Sequence, residues 1–237
     1  MQIPKLDTPT YELKIPSSQD VIKFRPFLVK EEKILLMAQE SGKEEEIAKA
    51  TIDVINTCTF NKFDAGKIPV FDVEYILLQI RAKSVGEIVQ LKLICQDDNK
   101  TIVETECNLT ELEVLIEDGH TNKIIIDEKR NLGVVFGYPN YELASQGVDI
   151  SGANLDRIFD IISSCVDHIF EGDKIFMGKD IDKKQMREFF ESMNNEQFQK
   201  VQKFFETMPK IVREFELTNP KTGKKSSVIL KGLNDFF

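Results

Sequence analysis

The 237-residue chain has no tryptophan, two histidines and four cysteines, and each scarcity removes a class of chemistry. His120 and His168 stand in separate halves, so a histidine general base or a metal-ligating histidine pair has few ways to form. Cys58, Cys95, Cys107 and Cys165 contain no C-x-x-C spacing, which excludes a locally built zinc ribbon or dithiol redox centre. Free thiols are expected, with Cys58 and Cys165 as small buried hydrophobes. There is no G-x-S-x-G elbow. Gly223-Lys224-Lys225-Ser226 fails as a phosphate loop, because Thr218 stands where the first glycine belongs and Lys225 where a hydroxyl is needed. Asp97-Asp98-Asn99 lacks the glycine and distal glutamate of a calcium loop. Apolar runs fall far short of the ~18 residues of a membrane-spanning helix. Met1-Gln2-Ile3-Pro4-Lys5 lacks the apolar core of a signal peptide, so a reducing cytosol is the expected compartment. No cofactor or metal is expected; a cryptic hydrolase or metal protein, the reading from another class, would need a pocket with carboxylates converging near His120 or His168.

What is abundant is charge. Lys+Arg 31 against Asp+Glu 40 leave a net charge of −9, which disfavours generic coating of nucleic acid, since phosphate binding needs clustered cations. The distribution is uneven: residues 1–178 hold 19 basic and 31 acidic side chains, and residues 179–237 hold 12 and 9. Two readings follow, partner surfaces of opposite sign within an assembly or a solvated acidic body.

Residues 1–22, with Pro4, Pro9 and Pro16 among threonines and serines, read as an extended arm able to order along a neighbour. Residues 23–137 read as a helical bundle plus antiparallel sheet. Its first helix runs from Phe27 to Ala38, with Ile34, Met37 and Ala38 expected on one inward face and Gly42 as the stop. Ile47, Ala50, Thr51, Val54, Ile55 and Cys58 mark the second helix, and Asp72 is expected to cap a third carrying Val73, Ile76, Leu77 and Ile80. Strands follow at Glu87–Ile94, Thr101–Cys107, Lys123–Ile126 and Leu132–Phe136. Residues 138–152 form a connector. Residues 153–237 read as a second helical module with a C-terminal hairpin: a helix from Leu155 to Ile169, helices capped by Asp182 and Asn194, then strands Ile211–Leu217 and Ser226–Leu230. Asp167 and His168, read on the first of those helices, would not face each other. The expected fold class is therefore α+β, two helical modules each followed by a small antiparallel hairpin or sheet.

The repeated order of helices then hairpin fits a diverged duplication offset by about 124 residues or a coincidence of similar units. It pairs Leu91 with Phe215 and Leu93 with Leu217. Seventeen phenylalanines include the pairs Phe189-Phe190, Phe204-Phe205 and Phe236-Phe237; the last needs a groove in this chain or in a partner, since chain ends otherwise fray.

Three blocks carry a family likeness: Lys23-Phe24-Arg25-Pro26-Phe27-Leu28-Val29-Lys30-Glu31-Glu32-Lys33-Ile34-Leu35-Leu36, Ile68-Pro69-Val70-Phe71-Asp72-Val73-Glu74-Tyr75, and Arg81-Ala82-Lys83-Ser84-Val85-Gly86-Glu87. With Phe204-Phe205-Glu206-Thr207-Met208-Pro209-Lys210 and the Gly232-Leu233-Asn234-Asp235-Phe236-Phe237 end, the chain resembles the baseplate hub proteins of T4-like contractile-tailed bacteriophages over about residues 21–237. The resemblance implies a late, non-enzymatic tail protein of the virion baseplate, assembled in the host cytoplasm. Its partners would be other hub, spike or tape measure proteins, with no direct contact to nucleic acid. It also admits a transient assembly chaperone absent from the mature virion. Its partner-binding candidates are Phe24, Arg25, Phe27, Lys30 and Lys33 of the first block and Phe236 and Phe237 of the end; Arg25 and Lys30 can equally form intramolecular pairs.

Overall fold

The computed structural model describes residues 6–144 and 155–233, and its elements are an α+β mix. Contacts divide the chain into two units: the residues up to Leu115 together with those from Lys210 onward, and Ile116–Pro209.

The first unit opens with a hairpin, β1 (Tyr11–Lys14) paired with β2 (Val21–Phe24), Tyr11 opposite Phe24. The expected extended arm is thus folded back on its own chain. Pro9 and Pro16 lie outside the paired residues, so they remove no ladder hydrogen bond. Three helices follow, α1 (Val29–Ser41), α2 (Glu44–Cys58) and α3 (Val70–Ser84). Gly42 ends α1 as expected, at φ 66°, where a side chain would be strained. Asp72 does not cap α3. The N-cap is Pro69, and Asp72 lies buried in the first turn, its carboxylate accepting the backbone N–H of Ser17 (3.0 Å) and the Ser17 hydroxyl. The side chain that would cap the helix instead pins the turn between β1 and β2.

Two hairpins complete this unit: β3 (Ile88–Ile94) with β4 (Ile102–Asn108), and β10 (Lys210–Thr218) with β11 (Lys225–Lys231). The short β5 (Val114–Leu115) pairs with the start of β10. Alternation in β3 is strict, Val89, Leu91 and Leu93 buried and their neighbours exposed, as a half-buried strand requires. One core joins Leu78 and Ala82 of α3 to Val89, Leu91, Leu93, Ile211, Leu217 and Leu230. The C-terminal hairpin therefore belongs with the first unit, although residues 153–237 read as one module in sequence. Strand residues Ile211, Leu217 and Leu230 need an apolar face, and α3 with the earlier hairpin supplies it.

The two hairpins also match in detail. Residues 88 and 102 correspond to 212 and 225, and the turns place Asn99 (φ 52°) and Gly223 (φ 73°) in the same left-handed position. Asn99 N–H donates to the Cys95 carbonyl (2.9 Å) and Gly223 N–H to that of Asn219 (2.8 Å). The tips are joined: Asn219 Nδ2 and Thr222 Oγ1 donate to the two oxygens of Asp97 at 2.9 and 2.6 Å. Side chains of α3 hold both hairpin ends, Gln79 Nε2 donating to the Leu109 carbonyl and Glu74 accepting the Leu233 N–H, each at 3.3 Å.

The second unit is a four-stranded antiparallel sheet in the order β6 (Lys123–Asp127), β7 (Leu132–Phe136), β8 (Val166–Glu171), β9 (Lys174–Met177). Its helices are α4 (Tyr141–Ala144), α5 (Leu155–Ser164), α6 (Lys183–Glu191) and α7 (Asn195–Glu206). Asp182 and Asn194 cap α6 and α7 as expected, each accepting a backbone N–H two or three residues on. The expected helix to Ile169 stops at Ser164, because Val166–Glu171 joins β7, with Ile169 opposite Val134 and Phe170 opposite Gly133. Val166 and Ile169, three residues apart, fit a helical spacing and not an unbroken strand period of two; pairing with β7 takes them through a register shift that skips Asp167, and the Gly172 turn (φ 59°) leads on to β9. The core is aromatic, Phe136 stacking on Phe204 at 5.0 Å and Phe205 meeting both rings edge-on.

Candidate partner-binding surface

The block that carries the family likeness begins where β2 ends. Phe24 is 2% exposed and packs on the Tyr11 ring, centroids 5.6 Å apart. Arg25 donates its backbone N–H to the Cys58 carbonyl (3.0 Å), and its guanidinium bonds Glu31 Oε1 (3.0 Å) and the Pro26 carbonyl (2.8 Å). The Arg25 and Glu31 side chains are 11% and 4% exposed. Glu31 Oε2 accepts the Leu28 N–H (2.7 Å), one of the donors left open at a helix start. Burial alone would push the Glu31 carboxyl up, but Arg25, the Leu28 N–H and Lys30 together hold it below its ordinary value. Phe24 and Arg25, expected at a partner surface, are thus interior: one fills the core and the other neutralises a buried carboxylate at the start of α1. Phe27 is half-buried, with its N–H on Ser84 Oγ (2.9 Å). Phe236 and Phe237 lie outside the described residues.

This anchoring sets the rotation of α1. Glu31 and Ala38 face inward toward α2, and the opposite side presents Val29, Lys33 and Leu36, at i, i+4 and i+7. Val29, Leu36 and Met37 are 80%, 53% and 59% exposed, with Lys30 and Lys33 beside them. Ile34 and Met37, expected inside, are largely outside. An amphipathic reading cannot find this: the helix is apolar on both sides, and only the buried Arg25–Glu31 pair reveals which side is core. Three exposed large apolar residues on one helix side, flanked by lysines, form the kind of patch that a partner covers.

His120 accepts or donates at both ring nitrogens, to Thr207 Oγ1 (2.9 Å) and Tyr138 OH (3.0 Å), and stacks on Phe204 at 5.3 Å. Thr207 gives its proton to the Lys203 carbonyl, so Nδ1 of His120 carries the hydrogen and Nε2 accepts from Tyr138. Burial pulls the His120 pKa down, which keeps the ring neutral. Asp167 and His168 do meet, Oδ2 to Nδ1 at 2.7 Å; successive residues of a regular strand point to opposite faces, and this contact falls at the register shift where Asp167 has no opposite residue in β7. All four cysteines are buried free thiols, as expected for Cys58 and Cys165; burial pushes these two up to about 11 and about 12, the reverse of nucleophile activation. Among the described residues, no cluster of histidine, cysteine or carboxylate side chains could hold a metal ion, and no helix is long and apolar enough to cross a membrane.

The described residues thus combine a helical and antiparallel α+β architecture with one helix side that exposes apolar residues. The model of the T4 bacteriophage base plate protein family matches residues 8–237, and the chain belongs to that family. It is a structural protein of the phage tail baseplate, and other tail proteins are its natural neighbours. No curated protein and no solved structure gives a significant match.

Proposed function

We propose that this chain is a non-enzymatic protein of the baseplate hub that joins other hub, spike or tape measure proteins during assembly in the host cytoplasm, and that the outer side of α1 is its contact surface. The observation that carries the reading is the exposed stripe Val29, Leu36 and Met37 with Lys30 and Lys33 beside it. Apolar burial would supply affinity, and the lysines would set register and partner choice. Placing a charge on the stripe, Leu36→Glu with Met37→Glu, should leave far-UV circular dichroism and thermal midpoint unchanged while removing the protein from affinity-purified baseplate intermediates. Undiminished incorporation would sink the assignment of α1. Mass spectra of purified virions separate a hub subunit, recovered in fixed ratio, from a transient assembly chaperone, absent from finished particles.

A further inference from the structure

The second unit contains a cleft between β6 and α7 with a volume of about 210 Å³. Three lysines line it, Lys123 from β6 and Lys200 and Lys203 from α7, together with Thr121, Thr207 and Phe204. Its surroundings make this unusual, because Ile116–Pro209 holds 17 acidic against 11 basic side chains, yet no carboxylate lines the cleft. None of the three ammonium groups has an ion-pair partner among the described residues. Like charges gathered in one cleft create a local positive potential that attracts anions.

The walls are held in place. Lys200 Nζ approaches the Ile125 carbonyl at 3.4 Å, and Lys123 Nζ lies 4.8 Å from the centre of the Phe170 ring. Phe204 and Thr207 are fixed from behind by neutral His120. Thr121 Oγ1 accepts the Lys123 N–H (3.2 Å), which leaves its own proton for a ligand, whereas the Thr207 proton is already committed. The lining therefore gathers three lysine side chains and one hydroxyl donor. It is smaller than the roughly 300–1,000 Å³ of sites for drug-sized ligands and suits one or two carboxylate side chains.

We propose that this cleft seats carboxylate side chains of an acidic segment of a partner protein. The inference rests on the reading above only in taking the occupant to be a protein. The test uses the full chain and a fluorescein-labelled hexaglutamate peptide, followed by fluorescence anisotropy at low ionic strength. Saturable binding is expected. Lys123→Gln, Lys200→Gln and Lys203→Gln should each weaken it about threefold, and the triple variant about thirtyfold, from the usual range for exposed ion pairs. Lys129→Gln with Lys174→Gln and Lys183→Gln removes the same charge outside the cleft and should leave affinity within about twofold. Thr121→Phe, which obstructs the cleft without altering charge, should also weaken binding. No saturable binding, an equal loss in both triple variants, or equally tight binding of inorganic phosphate or of an oligothymidylate would overturn the proposal. Because no tail protein is present in the assay, such a failure leaves the α1 surface untouched, and loss of α1 docking leaves this cleft standing.

Discussion

Replacing Arg25 by methionine keeps most of the side-chain volume and removes the guanidinium from Glu31 Oε1 and from the Pro26 carbonyl. Glu31 would then remain 4% exposed with Lys30, 3.3 Å away and largely in solvent, as its remaining cation. Removing one partner of a buried pair costs about 3–5 kcal/mol, and the 11% exposure of Arg25 puts this case at the lower end, about 3 kcal/mol. Glu31→Leu should cost a similar amount and in addition opens the Leu28 N–H. The double variant should lose only that cap, about 1–2 kcal/mol, and so be more stable than either single one. Urea denaturation followed by far-UV circular dichroism gives the three values. The pH dependence adds a second reading. A carboxyl held below its ordinary 4.5 in the folded state contributes stability that is present above that value and lost as pH falls through the folded pKa. This acid limb should flatten in Arg25→Met. If that variant loses less than about 0.5 kcal/mol, or if the two single effects simply add, the pair is not what anchors α1.

Two further substitutions probe the frame. Gly133→Ala would place a methyl against the Phe170 ring and 2.6 Å from the Ile124 carbonyl, so it should lower the thermal midpoint by several degrees, through about 1–3 kcal/mol of overpacking; an unchanged melt would contradict the β7–β8 register. Asp72 behaves oppositely to Glu31: burial raises its carboxyl and the two Ser17 contacts only partly offset this, so its contribution is present at low pH and lost as pH rises through the raised value. Asp72→Asn should therefore remove a downward slope of stability with pH in the mildly acid range, measured by urea titrations at successive pH values.

Much of the first unit was legible because local signals and tertiary packing agree there. The apolar spacing of Ile47 to Cys58, the left-handed stop at Gly42 and the turn Asp97–Lys100 each specify one answer. The helix ending at Ser164 was not legible in full, since Val166 and Ile169 keep the helical spacing and only pairing with β7, with its register shift at Asp167, places them on a strand. Nor could local pattern show that Ile211, Leu217 and Leu230 close the core of the first unit, because that depends on which apolar face is free in space. In the first block, the inner and outer sides of α1 are exchanged relative to the sequence reading. Phe24 and Arg25 resemble contact residues by type, yet a buried aromatic and a buried ion pair use the same residue types. Lys30 and Lys33 remain exposed, and the exposed apolar residues beside them had been assigned to the interior.

Amine-reactive cross-linking of purified tails, read by mass spectrometry, tests most directly whether this protein works through the outer side of α1. The account predicts links from Lys30 or Lys33 to another tail protein. Links from these two lysines only to their own chain, while lysines elsewhere on the protein join to neighbours, would contradict it.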